Sequence, residues 1–293
     1  MKVGAFELNE PFPELREPHG LAMLRPWVDA GNVGSLVLSR LETYFGGKEL
    51  GKLTRPGNFF DFTRYRPVIE LRRGKRQVDV PNTYVTYGKQ RTGNDFLFLH
   101  LLEPHVHGEA YVESVLRLLV KFGVKRYCLL GSMYDIVPHT RPLPVTGGGI
   151  GEGVQQELEK LGVESSNYQG PTTIAYLISQ RAPSIGIETM TLIVHLPQYA
   201  EVDEDYMGAV RLMEMLGSIY EFPMDENYTT KAKQQLEQIS TELAKNPELK
   251  VIVEQLETHY DAGTRERKEE EKPQLSPEIE RFLMEMDERF RED

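Results

Sequence analysis

The chain has 293 residues, of which 40% are apolar and 27% charged, a composition typical of a protein that buries a substantial core. Its formal charge of −11 argues against nucleic acid or an anionic membrane as the main partner. A single cysteine excludes an internal disulfide, and a polar N-terminus without any run of 18 apolar residues predicts a cytoplasmic protein.

The first third of the chain predicts strands and one helix. A strand over 21–28, interrupted by Pro26, leads through a glycine-containing turn into a helical run that Asn32 or Ser35 can cap. This order of strand, turn and helix is the beginning of a βα unit. Branched and aromatic residues favour further strands at 59–62, 68–71, 78–80 and 83–87.

The middle of the chain contains its most apolar strand, NDFLFLHLL, at 94–102. An amphipathic helix over 108–122 follows, and the next apolar strand lies at 126–131. Two buried strands joined by a helix of this length form a right-handed crossover, so we expect an α/β fold with a largely parallel sheet.

The α/β alternation continues to about residue 228 and then stops. Helices over 154–161, 172–181 and 205–220 flank one more strand at 189–196, so residues 1–228 are predicted to form an α/β domain. Beyond it, apolar stripes at helical spacing and a final amphipathic pattern over 279–290 predict a helical C-terminal extension, residues 229–293.

One stretch is rigid and also carries side chains that can bind a ligand. Residues 136–146, IVPHTRPLPVT, contain three prolines, which prevent a helix or a paired central strand, and we call this segment the proline connector. It leaves the end of a predicted strand and carries His139 and Arg141 two residues apart. Either this pair forms part of a ligand site, or Arg141 braces the loop by binding a carboxylate.

Other polar residues are predicted at the same edge of the sheet. Asp29 and Asn32 follow the first strand and Glu103 follows a central one, and ligands gather at the carboxyl ends of strands in open α/β sheets. The candidate pocket therefore comprises Asp29, Asn32, Glu103, His139 and Arg141. An Arg141 pair with Asp29 or Glu103 could bind a ligand or merely brace the loops.

Several other patterns imitate functional motifs. GGKELGK at 46–52 lacks the final Ser or Thr of a phosphate-binding loop and follows a helix, so we reject it. The glycine run 147–153 fits no dinucleotide fingerprint and favours a flexible linker. His105 and His107 occupy alternate positions and are weak candidates for metal ligands, but the simpler interpretation of this segment is an exposed turn. Neither a metal nor another cofactor is therefore predicted. Ser132, Asp135 and His139 lack the Gly-x-Ser-x-Gly elbow of a hydrolase triad.

Six elements resemble, in order, the proteasome assembly chaperone 2 family. They are WVDAGNVG (27–34), FFDFTRYRP (59–67), the Glu103-Pro104 strand end, VPHTRPL (137–143), YQGP (168–171) and LPQY (196–199), and the tail is similar to that of actinobacterial-type members. The resemblance implies a three-layer α/β sandwich like that of nucleoside phosphorylases and zinc peptidases. It also implies homo-oligomers, with trimers favoured. Eukaryotic relatives are assembly chaperones for the proteasome α-ring.

Three functions follow as hypotheses. The first is a protein-binding, assembly-chaperone-like oligomer, which is favoured because the sequence contains no complete catalytic motif. Some relatives are labelled ATP-grasp enzymes, but this sequence has no nucleotide-binding loop to support that activity. The second is a small-molecule hydrolase or phosphorylase-like transferase with a pocket at the strand ends. The third is a purely structural homo-oligomer.

Overall fold

The computed structural model describes residues 1–166 and 168–266, and a ten-stranded sheet runs through it. Its strands are β1 Lys2–Val3, β2 Phe6–Leu8, β3 His19–Arg25, β4 Lys48–Leu53, β7 Tyr84–Gly88, β8 Phe96–Leu102, β9 Arg126–Asp135, β10 Val145–Ile150, β11 Glu164–Ser165 and β12 Glu188–Pro197. They lie in the order β1-β2-β4-β7-β8-β3-β9-β12-β10-β11. Strands β5 Val68–Arg72 and β6 Lys75–Asp79 form a separate hairpin.

The centre of the sheet is parallel. Strand β3 pairs in parallel with both β8 and β9, and β9 pairs in parallel with β12, whereas β7 and β10 join this group antiparallel on its two sides. Every residue of β8 is buried, which explains why its sequence is continuously apolar instead of alternating. The sheet is thus mixed with a parallel centre, and the predicted fold class is confirmed.

Helices cover both faces of this sheet. They are α1 Val33–Phe45, α2 Gly108–Lys121, α3 Val154–Lys160, α4 Ile174–Arg181 and α5 Tyr206–Tyr220. One apolar core includes residues from α2 and α4, and the other includes residues from α1, α3 and α5. The two cores lie on opposite faces because successive strand residues alternate between them, as Leu97 and Phe98 do.

Two further helices, α6 Glu226–Ala244 and α7 Pro247–Glu266, follow the sheet. They form a third apolar cluster around Tyr199, which lies just beyond β12. Helix α6 begins before residue 229, so the predicted boundary falls within a helix, and the division into two domains stays a prediction. The amphipathic pattern over 279–290 lies outside the described residues.

Two local predictions were wrong. The glycine run is not a linker, because its first part is strand β10. A Cβ added to Gly147 would lie 1.9 Å from the carbonyl oxygen of Thr191, so only glycine lets β12 approach this closely. Residues 59–62 form a turn instead of a strand. This turn follows a short 3₁₀ helix, and Phe59 and Phe60 in it are buried in the apolar core.

The segment that imitated a phosphate-binding loop is a strand, β4, paired with β2 and β7. Within the described residues, no helix combines the length and the apolar character that crossing a membrane requires.

Protonation of His19 should oppose folding. Its ring lies beside the Tyr220 hydroxyl at 2.9 Å, and burial, with the nearby Arg126 charge, lowers the pKa of His19 to about 4. At pH values below the ordinary pKa of histidine, His19 is protonated in the unfolded chain but stays neutral in the folded one. The free energy of unfolding therefore falls as the pH drops. Between pH 7 and 5 this difference should cost about 1.8 kcal/mol, and His19→Gln should remove it.

The measurement is urea unfolding of both proteins at the two pH values. The quantity of interest is the change in unfolding free energy with pH, so a uniform loss of stability in the variant does not affect it. Equal pH dependence in the two proteins would contradict the assignment.

Candidate functional site

The carboxyl ends of β8, β3 and β9 meet at one edge of the sheet. The Glu103 amide donates to the carbonyl oxygen of Arg25 at 2.9 Å, and the Ser132 amide donates to that of Val28 at 3.0 Å. The turn after β3 is therefore a neighbour of the corner after β8 and of the carboxyl-terminal part of β9. We call this region the strand-end edge.

Asp29 at this edge is buried and holds the start of α1. Its carboxylate accepts from the Gly34 amide at 2.7 Å and from the Ser35 hydroxyl at 2.7 Å. Burial raises the pKa of Asp29 to about 6, against these hydrogen bonds, which lower it. Asn32 makes no side-chain cap, and its amide instead donates to the Asp203 carbonyl oxygen at 2.7 Å.

Glu103 serves the start of a different helix. Its two carboxylate oxygens accept from the amide of Ile174, the first residue of α4, at 3.1 and 3.2 Å. A carboxylate in this position also interacts favourably with the positive end of the helix dipole. Burial raises the pKa of Glu103.

The proline connector binds the C-terminal helices. His139 is buried, its Nδ1 lies 2.7 Å from the Tyr199 hydroxyl, and its Nε2 lies 3.2 Å from the Ser240 hydroxyl on α6. Burial lowers the pKa of His139. Arg141 donates to both carboxylate oxygens of Asp261 on α7 at 2.9 and 2.8 Å, which raises the pKa of the guanidinium.

The five candidate side chains of the predicted pocket contact different elements of the structure. Asp29 and Glu103 hold helix starts, Asn32 holds the loop before α5, and the connector pair holds α6 and α7. Two clefts on the described residues lie elsewhere, one of about 590 Å³ against α6 and one of about 360 Å³ between α2 and the end of α4.

The two weak metal candidates also have separate surroundings. His105 Nδ1 accepts from the Asp61 amide at 3.1 Å, and His107 is an exposed residue preceding α2. Among the residues that the structure describes, no group of three His, Cys, Asp or Glu side chains is arranged to hold a metal ion.

Sequence reasoning missed the exposed apolar side chains of the strand-end edge. Trp27, the only tryptophan of the chain, is 60% exposed, and Val106 in the loop after β8 and Met133 near the end of β9 are exposed as well. Val28, directly after Trp27, has a φ of 60°, a conformation that branched residues rarely adopt. A strained backbone beside an exposed tryptophan motivates a functional hypothesis for this turn.

A second missed feature is a chain of three polar side chains at the ends of β9 and β12. His195 Nδ1 lies 2.6 Å from Asp135 Oδ2, and His195 Nε2 lies 2.8 Å from the Thr146 hydroxyl. The sequence had suggested Ser132 and His139 as companions of Asp135. Instead, the Ser132 hydroxyl donates to the Ala30 carbonyl oxygen at 2.6 Å. Only the pairing register of β9, β12 and β10 brings the observed three together.

The connector contacts predict that Arg141→Ala loosens the packing of α7 on the connector, although the apolar cluster around Tyr199 remains. Hydrogen exchange of peptides from α7 should accelerate while peptides from β8 and β9 keep their protection, because the lost ion pairs join α7 to the connector alone. Arg117→Ala, which removes an ion pair within α2, is the matched control. Unchanged exchange of α7 would contradict this role for Arg141.

Comparison with known proteins gives the family. The sequence model of the PAC2 family matches residues 23–245. Among solved structures, a Mycobacterium tuberculosis protein of unknown function aligns at 23% identity and a TM-score of 0.80, with 92% of each chain covered. A Corynebacterium glutamicum protein of unknown function aligns at 21% identity and a TM-score of 0.78, over 89% of this chain and 98% of that one.

A Mycobacterium tuberculosis proteasome-assembly chaperone homologue aligns at 20% identity and a TM-score of 0.71, over 80% of this chain and 99% of its own. At these identities the likeness shows the fold alone. A search of curated proteins finds no match. The family match, however, extends over well more than half of the chain, and the protein belongs to the PAC2 family, as its motifs predicted.

Proposed function

We propose that this protein is a protein-binding, assembly-chaperone-like oligomer of the cytoplasm. Membership of the PAC2 family supports the proposal, and a structural neighbour is described as a proteasome-assembly chaperone homologue. Subunits of a proteasome are accordingly the first partners to test. A trimeric state, implied by the family resemblance, stays a prediction.

The observation that carries the proposal is the exposure of Trp27. Tryptophan is enriched among the residues that dominate binding energy at protein interfaces, where it fills a pocket of the partner. Trp27 is 60% exposed on the turn that follows β3, and β3 is paired on both sides, with β8 and β9, so the backbone that leads into this turn is anchored in the sheet. An aromatic side chain has few rotatable bonds, so ordering it on binding costs little conformational entropy.

The polar side chains of the strand-end edge support the same proposal. Asp29 and Glu103 already accept hydrogen bonds from helix starts, and Arg141 is already paired with two carboxylates. Removing any of them from these contacts to bind a small ligand would leave a buried amide or charge without its partner. The exposed apolar side chains carry no such cost, which favours contact with another protein.

Trp27→Ala should weaken binding of unassembled actinobacterial proteasome α subunits by about 30-fold, the loss expected for an interface hot spot. The measurement is surface plasmon resonance with the full chain immobilised. Tyr168→Ala, which removes another strongly exposed aromatic side chain, is the control and should leave the affinity unchanged. Equal affinity of wild type and Trp27→Ala would contradict the role of Trp27, and absence of binding would contradict the proteasome partner.

The Asp135–His195–Thr146 chain favours a second candidate function, ester hydrolysis. Since a carboxylate only accepts hydrogen bonds, His195 Nδ1 carries a proton and Nε2 can accept the proton of the Thr146 hydroxyl. This is the arrangement of a nucleophile, a general base and a residue that orients the base. Thr146 is half-buried on a strand whose next residue on that face, Gly148, has open space above it.

Under this second candidate, p-nitrophenyl acetate should acylate Thr146 and be turned over slowly. Thr146→Ala and His195→Gln should each lower the rate to the uncatalysed value, because the nucleophile or its base is missing. Thr191→Ala, on the same face of the sheet, is the matched control. Turnover that persists in Thr146→Ala, or no turnover by the wild type, would exclude Thr146 as a nucleophile.

A further inference from the structure

The β5–β6 hairpin is exposed along its whole length. Its two strands are joined by a two-residue turn, Arg73-Gly74, in which both φ values are positive, at 51° and 75°. This is the turn geometry that matches the twist of paired strands, so the hairpin is well formed locally. None of its residues is buried, however, and it forms a sheet of only two strands.

The hairpin has one apolar face. Its pairing register places Ile69 opposite Val78 and Leu71 opposite Arg76, so these side chains share a face with Val80. Ile69, Leu71 and Val78 are 65%, 73% and 63% exposed. The opposite face carries most of the charged residues, among them a Glu70–Arg72 ion pair.

A two-stranded hairpin with an exposed apolar face is marginally stable in water. Three or more strands with one apolar face are needed for independent stability, and the outer edges of β5 and β6 offer unpaired backbone groups to a further strand. The hairpin therefore has the features of a two-stranded sheet that is completed when a strand of a partner pairs with one of its edges.

The charges of β6 indicate which strand this is. The sequence of β6, KRQVD, is complementary to itself. In an antiparallel pair centred on Gln77, Lys75 of each copy faces Asp79 of the other, and Arg76 faces Val78.

We propose that β6 pairs with β6 of a second copy of this chain, antiparallel and centred on Gln77. The result is a four-stranded sheet in the order β5-β6-β6-β5 with one continuous apolar face. Strand β5 is disfavoured as the pairing edge, because its full register would place Glu70 opposite Glu70 and like charges directly opposite are destabilising. This inference rests on the oligomeric part of the proposed function and supplies its contact surface.

The pairing is isologous, since the same residues of both copies take part, and it constrains the subunit number. An assembly joined in this way contains an even number of chains. A dimer satisfies this condition, and so do two trimers joined through three pairs of hairpins.

The test is the mass of the full chain by light scattering across a concentration series. Lys75→Glu places two acidic residues opposite each other, and Asp79→Lys places two basic residues opposite each other. Each variant should raise the dissociation constant of the pairing about tenfold or more, so that the mass halves at a concentration where the wild type is assembled. The double variant Lys75→Glu/Asp79→Lys restores opposite charges and should restore the wild-type mass.

Mixing the two single variants gives a second, independent readout. In a mixed pair, position 75 of each copy faces a residue of opposite charge at position 79 of the other, so the assembled mass should return although neither variant assembles alone. Both positions are exposed, so failure to fold is not expected to confuse the result. A mutual pattern of this kind arises only if residues 75 and 79 face each other across the contact.

Oxidative cross-linking locates the twofold axis. Gln77→Cys should form a disulfide between copies, because paired residues on the axis approach to about 5 Å, and the native Cys128 is buried and cannot compete. Glu70→Cys, three strands from its counterpart, is the matched control and should not cross-link.

The outcomes separate this inference from the proposed function. A wild-type mass of three chains, or an assembled mass that neither single variant changes, would overturn the β6 pairing and leave the proposed function standing. A monomer at all concentrations would overturn both the pairing and the oligomeric part of the function. Restoration by the double variant and by mixing would establish the pairing.

Discussion

The parallel pairing of four buried strands, β8, β3, β9 and β12, is the constraint on which the rest of the structure depends. Parallel strands place all their carboxyl ends at one edge, where α1 and α5 begin after β3 and β12, and α4, which leads into β12, begins there as well. Helix starts carry unpaired amides, and carboxylates accept from them: buried Asp29 at α1, half-buried Glu103 at α4 and buried Asp205 at α5. The acidic character of this edge is thus a consequence of the topology.

This consequence changes what the edge can do. In many α/β proteins polar groups at the strand ends are available to a ligand. Here Asp29, Glu103 and Asp205 each accept a hydrogen bond from a backbone amide, and burial raises the pKa of each. The proline connector is occupied too, because it ties α6 and α7 to the sheet. Apolar side chains face solvent beside exposed polar ones such as Arg25 and His107, and Trp27 is the most exposed of the apolar group. An exposed tryptophan is suited to contact with a protein.

Sequence reasoning succeeded where the information is local. The continuous apolar runs of β8 and β9 predicted buried parallel strands, and the helix between them predicted the crossover. It failed where distant residues meet. Nothing near Arg141 indicates that its carboxylate partner lies 120 residues away at Asp261, and nothing near Asp135 indicates that the pairing register selects His195. Gly147 looked like part of a linker because the strand that approaches it, β12, is remote in sequence.

The most direct measurement of the central claim is iodide quenching of Trp27 fluorescence, which reports this one position because the chain has no other tryptophan. In the chain alone, emission should be strongly quenched, since the side chain is exposed to water. In complex with proteasome α subunits that contain no tryptophan, quenching should fall sharply as the indole enters the partner. Equal quenching in the free chain and in the complex would contradict the claim that the strand-end edge is the binding surface.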